Sequence, residues 1–419
     1  MKRFEKLVTK PNSIDCLQYS KTLSLANNKV LPQVINELIV SQEIEFKNIE
    51  HLKIHLSQVI NKLPLEYNPV AVINKVKNYN PASNIKIDKI ERLNLALTAY
   101  DNCLIYYGEE FPTFVYRGQT KFYDECKPTI FRKKTETGEI DLVEKLIDLT
   151  RSMLFEEALS FHPYIKLVND RQKIEHLARH PNKHVQFISK FLYDYPFYVN
   201  RKGILQHYGF PTNLLDTTSN IDVAAFFATC ENDETTNKYK PIEHKENGVL
   251  YVIAWFFPEM YNRFELIGWQ PLTRPKEQRA SSLNLLENDN LNVMRYVLKF
   301  QFQHDISCSR NYCDTYTTGE DNLFSEDKID NVVYKIKNEH EFDDKHILLA
   351  YNKLSEYFPN HKLEGYENMR EYIKRRDISI IENIDIKNKY MYDFENKDYR
   401  AEFLEIIKAI YVRTMSYVN

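Results

Sequence analysis

The sequence predicts an α+β protein, on three observations. Apolar residues recur at helical spacing over most of residues 1–108 and again towards the C-terminus. Short runs rich in β-branched and aromatic residues break that spacing in the middle of the chain. Between the first two of these runs, residues 206–228 join a cluster of Gly, Pro, Thr and Asp to an apolar stretch of good helix formers. At 419 residues the chain is long for one core, and length alone suggests two or three units. The changes of period divide it into a helical N-terminal region at 1–108, a central domain at 109–375 and a helical C-terminal extension at 376–419.

In the N-terminal region Leu31, Val34, Ile35, Leu38 and Ile39 share one helix face, and Leu52, Leu56, Val59, Ile60 and Leu63 another. Asn78-Tyr79-Asn80-Pro81 marks a turn, because the residue before a proline is pushed out of helical geometry. A long helix over residues 88–106 is predicted to lead into the central domain. Phe114-Val115-Tyr116 then reads as a short strand ending in Arg117-Gly118-Gln119. Residues 140–200 return to helical spacing. His176, His180 and His184 fall four apart there, but Pro181 disfavours a single helix carrying all three, which makes them a solvated or interhelical stripe rather than a metal site.

Residues 230–247 are polar, a surface excursion, and Gly248-Val249-Leu250-Tyr251-Val252-Ile253-Ala254-Trp255 is apolar enough for the centre of a sheet. Residues 296–302 read as another strand and 314–327 as a loop. Residues 345–357, 366–375 and 398–418 read as helices, while the spacing leaves 272–283 unassigned.

Composition narrows the function classes. The 56 Lys and Arg against 59 Asp and Glu leave a net charge of -3, with no global pull towards nucleic acid or membrane, although a local basic patch is compatible with it. Six scattered cysteines form no CxxC pair, as expected of free thiols in a reducing cytosol. Met1-Lys2-Arg3-Phe4-Glu5-Lys6 lacks the continuous apolar region of a signal peptide, and no apolar run is long enough to span a membrane, so a soluble cytoplasmic protein is expected. With 9 glycines and neither a GxGxxG nor a GxxxxGK[ST] pattern, a phosphate-cradling loop is excluded as the basis of nucleotide hydrolysis.

The site candidates gather at two places. Residues 206–228 read as a turn-rich loop feeding a buried helix, with Ser219 or Asn220 as cap and Asp222 at the positive end of the helix dipole. Within it His207 and Asp216 either carry chemistry or hydrogen-bond to hold the turn; Asp216 is expected to be structural. Arg117 either grips a phosphate or carboxylate with both prongs of its guanidinium or pairs with a carboxylate such as Asp216. Both segments are polar and turn-bounded beside apolar elements, and Arg117 is expected to meet the 206–216 loop in one cleft.

These residues carry a family likeness. Tyr116-Arg117-Gly118-Gln119 with Pro128-Thr129-Ile130-Phe131-Arg132, then Gln206-His207-Tyr208-Gly209, Pro211-Thr212, Leu214-Leu215-Asp216-Thr217-Thr218 and the apolar run 224–228, resemble the FRG domain. Arg274 to Gln278 and Phe358-Pro359 resemble that family's later elements. Tyr116 replaces the family's Phe, Asn213 stands where it commonly has Arg, and Thr217 where it commonly has Trp; nothing resembling a known family covers residues 1–100.

The resemblance implies an ADP-ribosyltransferase-like split, mixed or mostly antiparallel sheet, with helices around it and NAD held in a cleft. It implies an NAD-dependent ADP-ribosyltransferase of a bacterial toxin or antiviral defence system, modifying a macromolecular acceptor, protein or nucleic acid, and restrained by an inhibitory partner protein. A non-catalytic nucleotide or nucleic-acid binding module and an NAD glycohydrolase are the alternatives. Under the resemblance Arg117 grips the dinucleotide, with Gln119 and Thr212 as further cofactor-binding residues, and Tyr208 stacks on nicotinamide. Glu277 or Gln278 stabilises the ribosyl cation, and His207 is the base towards the acceptor.

Overall fold

The computed structural model describes residues 29–63, 97–100, 103–106, 113–166, 199–394 and 415–416, with short breaks at 135–136, 164, 234–237, 244–245, 268–269, 271, 319–321, 325–326 and 328. Its helices are α1 (Leu31–Ser41), α2 (Ile49–Ile60), α3 (Leu142–Phe161), α4 (Arg201–His207), α5 (Ile221–Thr229), α6 (Pro258–Tyr261), α7 (Thr273–Glu277), α8 (Ile306–Thr317), α9 (Ile329–Lys337), α10 (Asp344–Tyr357), α11 (Tyr366–Lys374) and α12 (Ile386–Tyr390). Its strands are β1 (Leu97–Tyr100), β2 (Cys103–Tyr106), β3 (Val115–Gln119), β4 (Leu214–Thr218), β5 (Cys230–Asp233), β6 (Lys238–Pro241), β7 (Gly248–Ile253), β8 (Phe264–Leu266), β9 (Ala280–Asn284), β10 (Val297–Phe302), β11 (Glu341–Asp343), β12 (Ser379–Ile381) and β13 (Met415–Ser416).

The centre is a six-stranded sheet in the order β10-β7-β3-β4-β9-β8, antiparallel at every pairing. β7 is buried along its whole length, as an unbroken apolar run requires. β3 pairs with β7 over all its residues, and β4 pairs likewise with β9. Between β3 and β4 the register is a single rung, Tyr116↔Thr218. The sheet is thus two three-stranded halves joined by one pair, and that seam lies at Arg117.

Gly118 explains how α5 lies so near β3. A Cβ at this position would stand 1.8 Å from Ala224 O and 2.7 Å from Ala228 N, both backbone atoms of α5, so only a hydrogen fits. Asn220 caps α5 by accepting from Asp222 N, as the sequence suggests, and Asp222 occupies the first turn. The Asp222 carboxylate also pairs with Lys53 of α2.

The two N-terminal helices bury the stripes that their spacing predicts, Leu31, Val34 and Leu38 in α1 and Leu52, Leu56 and Val59 in α2. The link between them bonds to β10: Gln303 N donates to Phe46 O at 2.9 Å, and Lys299 N to Gln42 Oε1 at 2.8 Å. Among the described residues one hydrophobic core cluster runs from Leu31 through the sheet to Phe394.

Several expectations are corrected. Residues 97–100 and 103–106 form the antiparallel β1–β2 pair instead of the end of a helix, and β13 pairs with β2, so 415–416 are not helical either. The second partner of β2, β13, lies some three hundred residues away, which helical spacing cannot register. Residues 214–218 are a strand rather than a loop. The surface excursion after Cys230 contains the β5–β6 hairpin, and α8 extends to Thr317, into the expected loop, because Ser309, Tyr312 and Cys313 form a buried face. His176, His180 and His184, and most of residues 398–418, lie outside the described residues.

Two buried histidines make stability depend on pH. Burial pushes the His162 imidazole down to about 4 from its ordinary 6.5, against the attraction of Asp327. Burial also lowers His346, against its 2.8 Å contact with Glu157. A histidine with a lowered folded value binds its proton more readily when unfolded, so its contribution is complete above about pH 6.5 and is lost as the pH falls towards 4. The slope is up to about 1.4 kcal/mol per pH unit for each proton taken up. Urea melts from pH 7 to 4.5 are expected to show this fall, with a shallower slope in His162→Gln; an unchanged slope would remove His162 as its source.

Candidate functional site

α4 begins at Asn200, whose side chain accepts from Gly203 N at 2.8 Å, and ends at Gly209, where φ is +76°. Gly209 N and Phe210 N close the helix by donating to Gln206 O and Leu205 O, both at 3.0 Å. This reversal sends the chain straight into β4. Thr212 Oγ1 donates to Gln206 Oε1 at 2.5 Å and accepts from Leu214 N at 3.1 Å, tying the turn to the helix.

Gln206 then donates from Nε2 to Asp216 Oδ2 at 3.0 Å, and Ser282, the register partner of Asp216 on β9, donates to Oδ1 at 3.3 Å. His207 Nε2 lies 3.7 Å from the same Oδ1. The His207 side chain is 3 % exposed and that of Asp216 is 36 % exposed, so an enclosed imidazole stands beside a carboxylate open to solvent. His207 Nδ1 is 2.9 Å from Gln278 Oε1, and Gln278 Nε2 points to Leu323 O at 3.5 Å. With the amide so oriented Nδ1 carries the proton and Nε2, which has no hydrogen-bond partner, presents its lone pair.

Arg117 reaches the same residue from across the seam. Its Nη1 donates to Asp216 O at 2.8 Å, supplying a bond to a carbonyl beyond the single β3–β4 rung. Its Nε is buried without a partner. By strand alternation Arg117 and Gln119 share the face of Tyr251, whereas Asp216 shares the face of Gly118. Arg117 thus touches the loop through the Asp216 main chain only, from the sheet face opposite the one that carries the carboxylate and His207, rather than sharing one cleft with them. Arg132 lies within electrostatic reach of both Arg117 and Asp216.

The other expected residues divide sharply. Gln278 joins His207, whereas Glu277, one residue earlier, closes α7. Gln119 lies further along β3, its Oε1 2.9 Å from the Tyr251 hydroxyl. Tyr208 is 0 % exposed. Arg274 sits 4.9 Å from its ring centroid, Phe155 packs at 6.0 Å, and its hydroxyl donates to Asp327 at 2.9 Å. A ring so enclosed cannot stack on nicotinamide without rearrangement, and that expectation is corrected: Tyr208 is a core residue. Asn213 is buried, donating to Asn284 Oδ1 and Leu285 O, and Thr217 bonds Ser281, so both departures from the family pattern hold the strand.

Sequence reasoning missed the aromatic wall. Tyr239 of β6 stacks on Phe324 with centroids 4.6 Å apart, and Phe226 and Phe227 pack against both. Burial pushes the Tyr239 hydroxyl up to about 12, and the charges of Arg274 and Asp216 both reach it.

Comparison with protein families agrees with the motif reading: a family model for the FRG domain matches residues 112–237. The chain carries an FRG domain, which spans β3, α3, α4, β4, α5 and β5. No curated protein and no solved structure matches the chain. Among the described residues no helix is long and apolar enough to cross a membrane, and no group of three or more His, Cys, Asp or Glu is placed to hold a metal ion.

Proposed function

We propose that this protein is an NAD-dependent ADP-ribosyltransferase with its cleft at the seam between β3 and β4, in an arrangement akin to the split sheet of ADP-ribosyltransferases. The observation that carries the reading is Asp216, a half-exposed carboxylate oriented by Gln206 and Ser282, with the partnerless His207 Nε2 3.7 Å away and the Arg117 guanidinium on its main-chain oxygen. Those groups fit a ligand that is anionic at one part and becomes cationic at another. NAD supplies a glycosidic bond whose cleavage releases neutral nicotinamide and leaves positive charge on the ribose.

Arg117 would hold a phosphate. The Asp216 carboxylate opposes the developing charge more strongly than it does the ground state, which is what lowers a barrier. His207 Nε2 takes the proton that the acceptor loses, while Gln278 holds Nδ1 and so keeps the ring in the required tautomer. Tyr239, stacked on Phe324, lies within electrostatic reach of the carboxylate.

Incubation with NAD labelled on the adenylate, followed by separation of protein, RNA and DNA and by assay of free nicotinamide, tests the reading. Label in a macromolecule together with nicotinamide release is the expected result. Nicotinamide without a labelled macromolecule means hydrolysis, bound NAD without release means a binding module, and no NAD binding removes the proposal.

A further inference from the structure

We propose that the surface formed by residues 121–123 and 293–299 is a docking platform for single-stranded nucleic acid. Calling that strand the acceptor rests on the transferase reading above; the binding itself does not.

Phe122 and Tyr123 are 42 % and 45 % exposed and Val293 is 81 % exposed, an unusual display of large apolar groups on consecutive and facing segments. Each ring is accompanied by a cation: Lys299 Nζ lies 5.8 Å from the Phe122 centroid and Lys121 Nζ 5.7 Å from that of Tyr123. Arg295 stands 4.9 Å from the Tyr296 ring, which stacks in turn on Phe257 at 3.8 Å.

The rings are held in place from below. Asn292 Nδ2 donates to Tyr123 O at 2.6 Å and to Asp124 O at 3.1 Å, and Asn290 Nδ2 donates to Asp124 O at 3.0 Å. Asn290 Oδ1 accepts from Cys126 N at 3.0 Å, and Leu291 N donates to Cys126 O at 3.1 Å. A loop fixed by this many bonds while its aromatic side chains face water is built to present them.

Alternating π faces and cations match a strand whose bases are unstacked and whose phosphates run alongside. A duplex hides the base faces. Two of the nearby acids are already paired, Glu125 with Lys127 at 3.0 Å and Glu246 with Lys121 at 3.3 Å, while Arg295 is exposed. The platform is tied to the Arg117 face of the sheet: the Tyr251 hydroxyl lies 2.8 Å from Asn292 Oδ1 and 2.9 Å from Gln119 Oε1, and Gln119 is two residues from Arg117 on the same face of β3.

Fluorescence anisotropy with the full chain and a labelled mixed-sequence 20-mer, as single-stranded RNA, single-stranded DNA and duplex DNA, without NAD, is the test. Single strands are expected to bind more tightly than the duplex. Phe122→Ala with Tyr123→Ala should weaken that binding by about tenfold or more. Tyr123→Phe, which keeps the stacking face, should preserve binding, and Arg295→Gln with Lys299→Gln should flatten its dependence on salt. Equal binding of duplex and single strands, no binding, or single-strand binding indifferent to the aromatic variants would each overturn the platform. Nicotinamide release without oligonucleotide binding sinks the platform and leaves the proposed chemistry standing; oligonucleotide binding without NAD turnover does the reverse.

Discussion

Gly118→Ala is expected to destabilise the fold by about 3 kcal/mol, the upper end of the usual cost of overpacking, read as a fall in the urea or thermal midpoint. The added methyl group would stand 1.8 Å from a carbonyl oxygen in the buried helix α5, and neither α5 nor β3 has a flexible side chain that could yield in its place. Gly203 is a graded comparison, since a Cβ there meets side-chain atoms of Ile267 at 2.7 and 2.8 Å, which can shift. Gly365 is the control, with nothing within 4 Å, and Gly365→Ala should change stability by less than about 0.5 kcal/mol. If Gly118→Ala melted like Gly365→Ala, close approach of α5 would not be what requires glycine at position 118.

Asp216→Asn is expected to lower nicotinamide release by about 10²- to 10³-fold while leaving NAD affinity close to that of the parent. The asparagine keeps the shape of the side chain but not its charge, and the charge matters most as the ribose becomes cationic. Loss of one of the two hydrogen bonds accepted by the carboxylate should cost about 1 kcal/mol, too little to unfold the chain. Arg117→Ala should do the opposite, weakening NAD binding in titrations with a smaller effect on turnover at saturation, because a phosphate contact exists before and during the reaction. Full turnover in Asp216→Asn would reduce the carboxylate to a fastening of the turn, which is the role the sequence first suggests for it.

How far the sequence discloses this arrangement depends on the range of the interaction involved. The stripes of α1 and α2, the apolar run of β7 and the Asn220 cap rest on neighbours within a few positions, and all are where local pattern puts them. β4 has no such signature. Leu214-Leu215-Asp216-Thr217-Thr218 does not alternate, because its polar residues are satisfied by Ser281, Ser282, Gln206 and the Gln278 carbonyl, up to 66 residues away. His207 and Gln278 were both candidates, yet their pairing, 71 residues apart, belongs to the fold alone. Tyr208 was misplaced for a local reason: beside His207 it reads as part of a site, whereas Ile204 and Tyr208, four apart on α4, face the core together.

The link between α1 and α2 has a consequence for the protein's behaviour in a crowd. An outer strand with bare N–H and C=O groups is a template for pairing with another chain. On β10 that row is partly occupied, by the Gln42 side chain at Lys299 and by Phe46, which bridges Phe302 in parallel and accepts from Gln303. The opposite edge, β8, is only three residues long. Residues 42–46 therefore act as a stopper against self-association along the longer edge, a role independent of whatever the cleft binds.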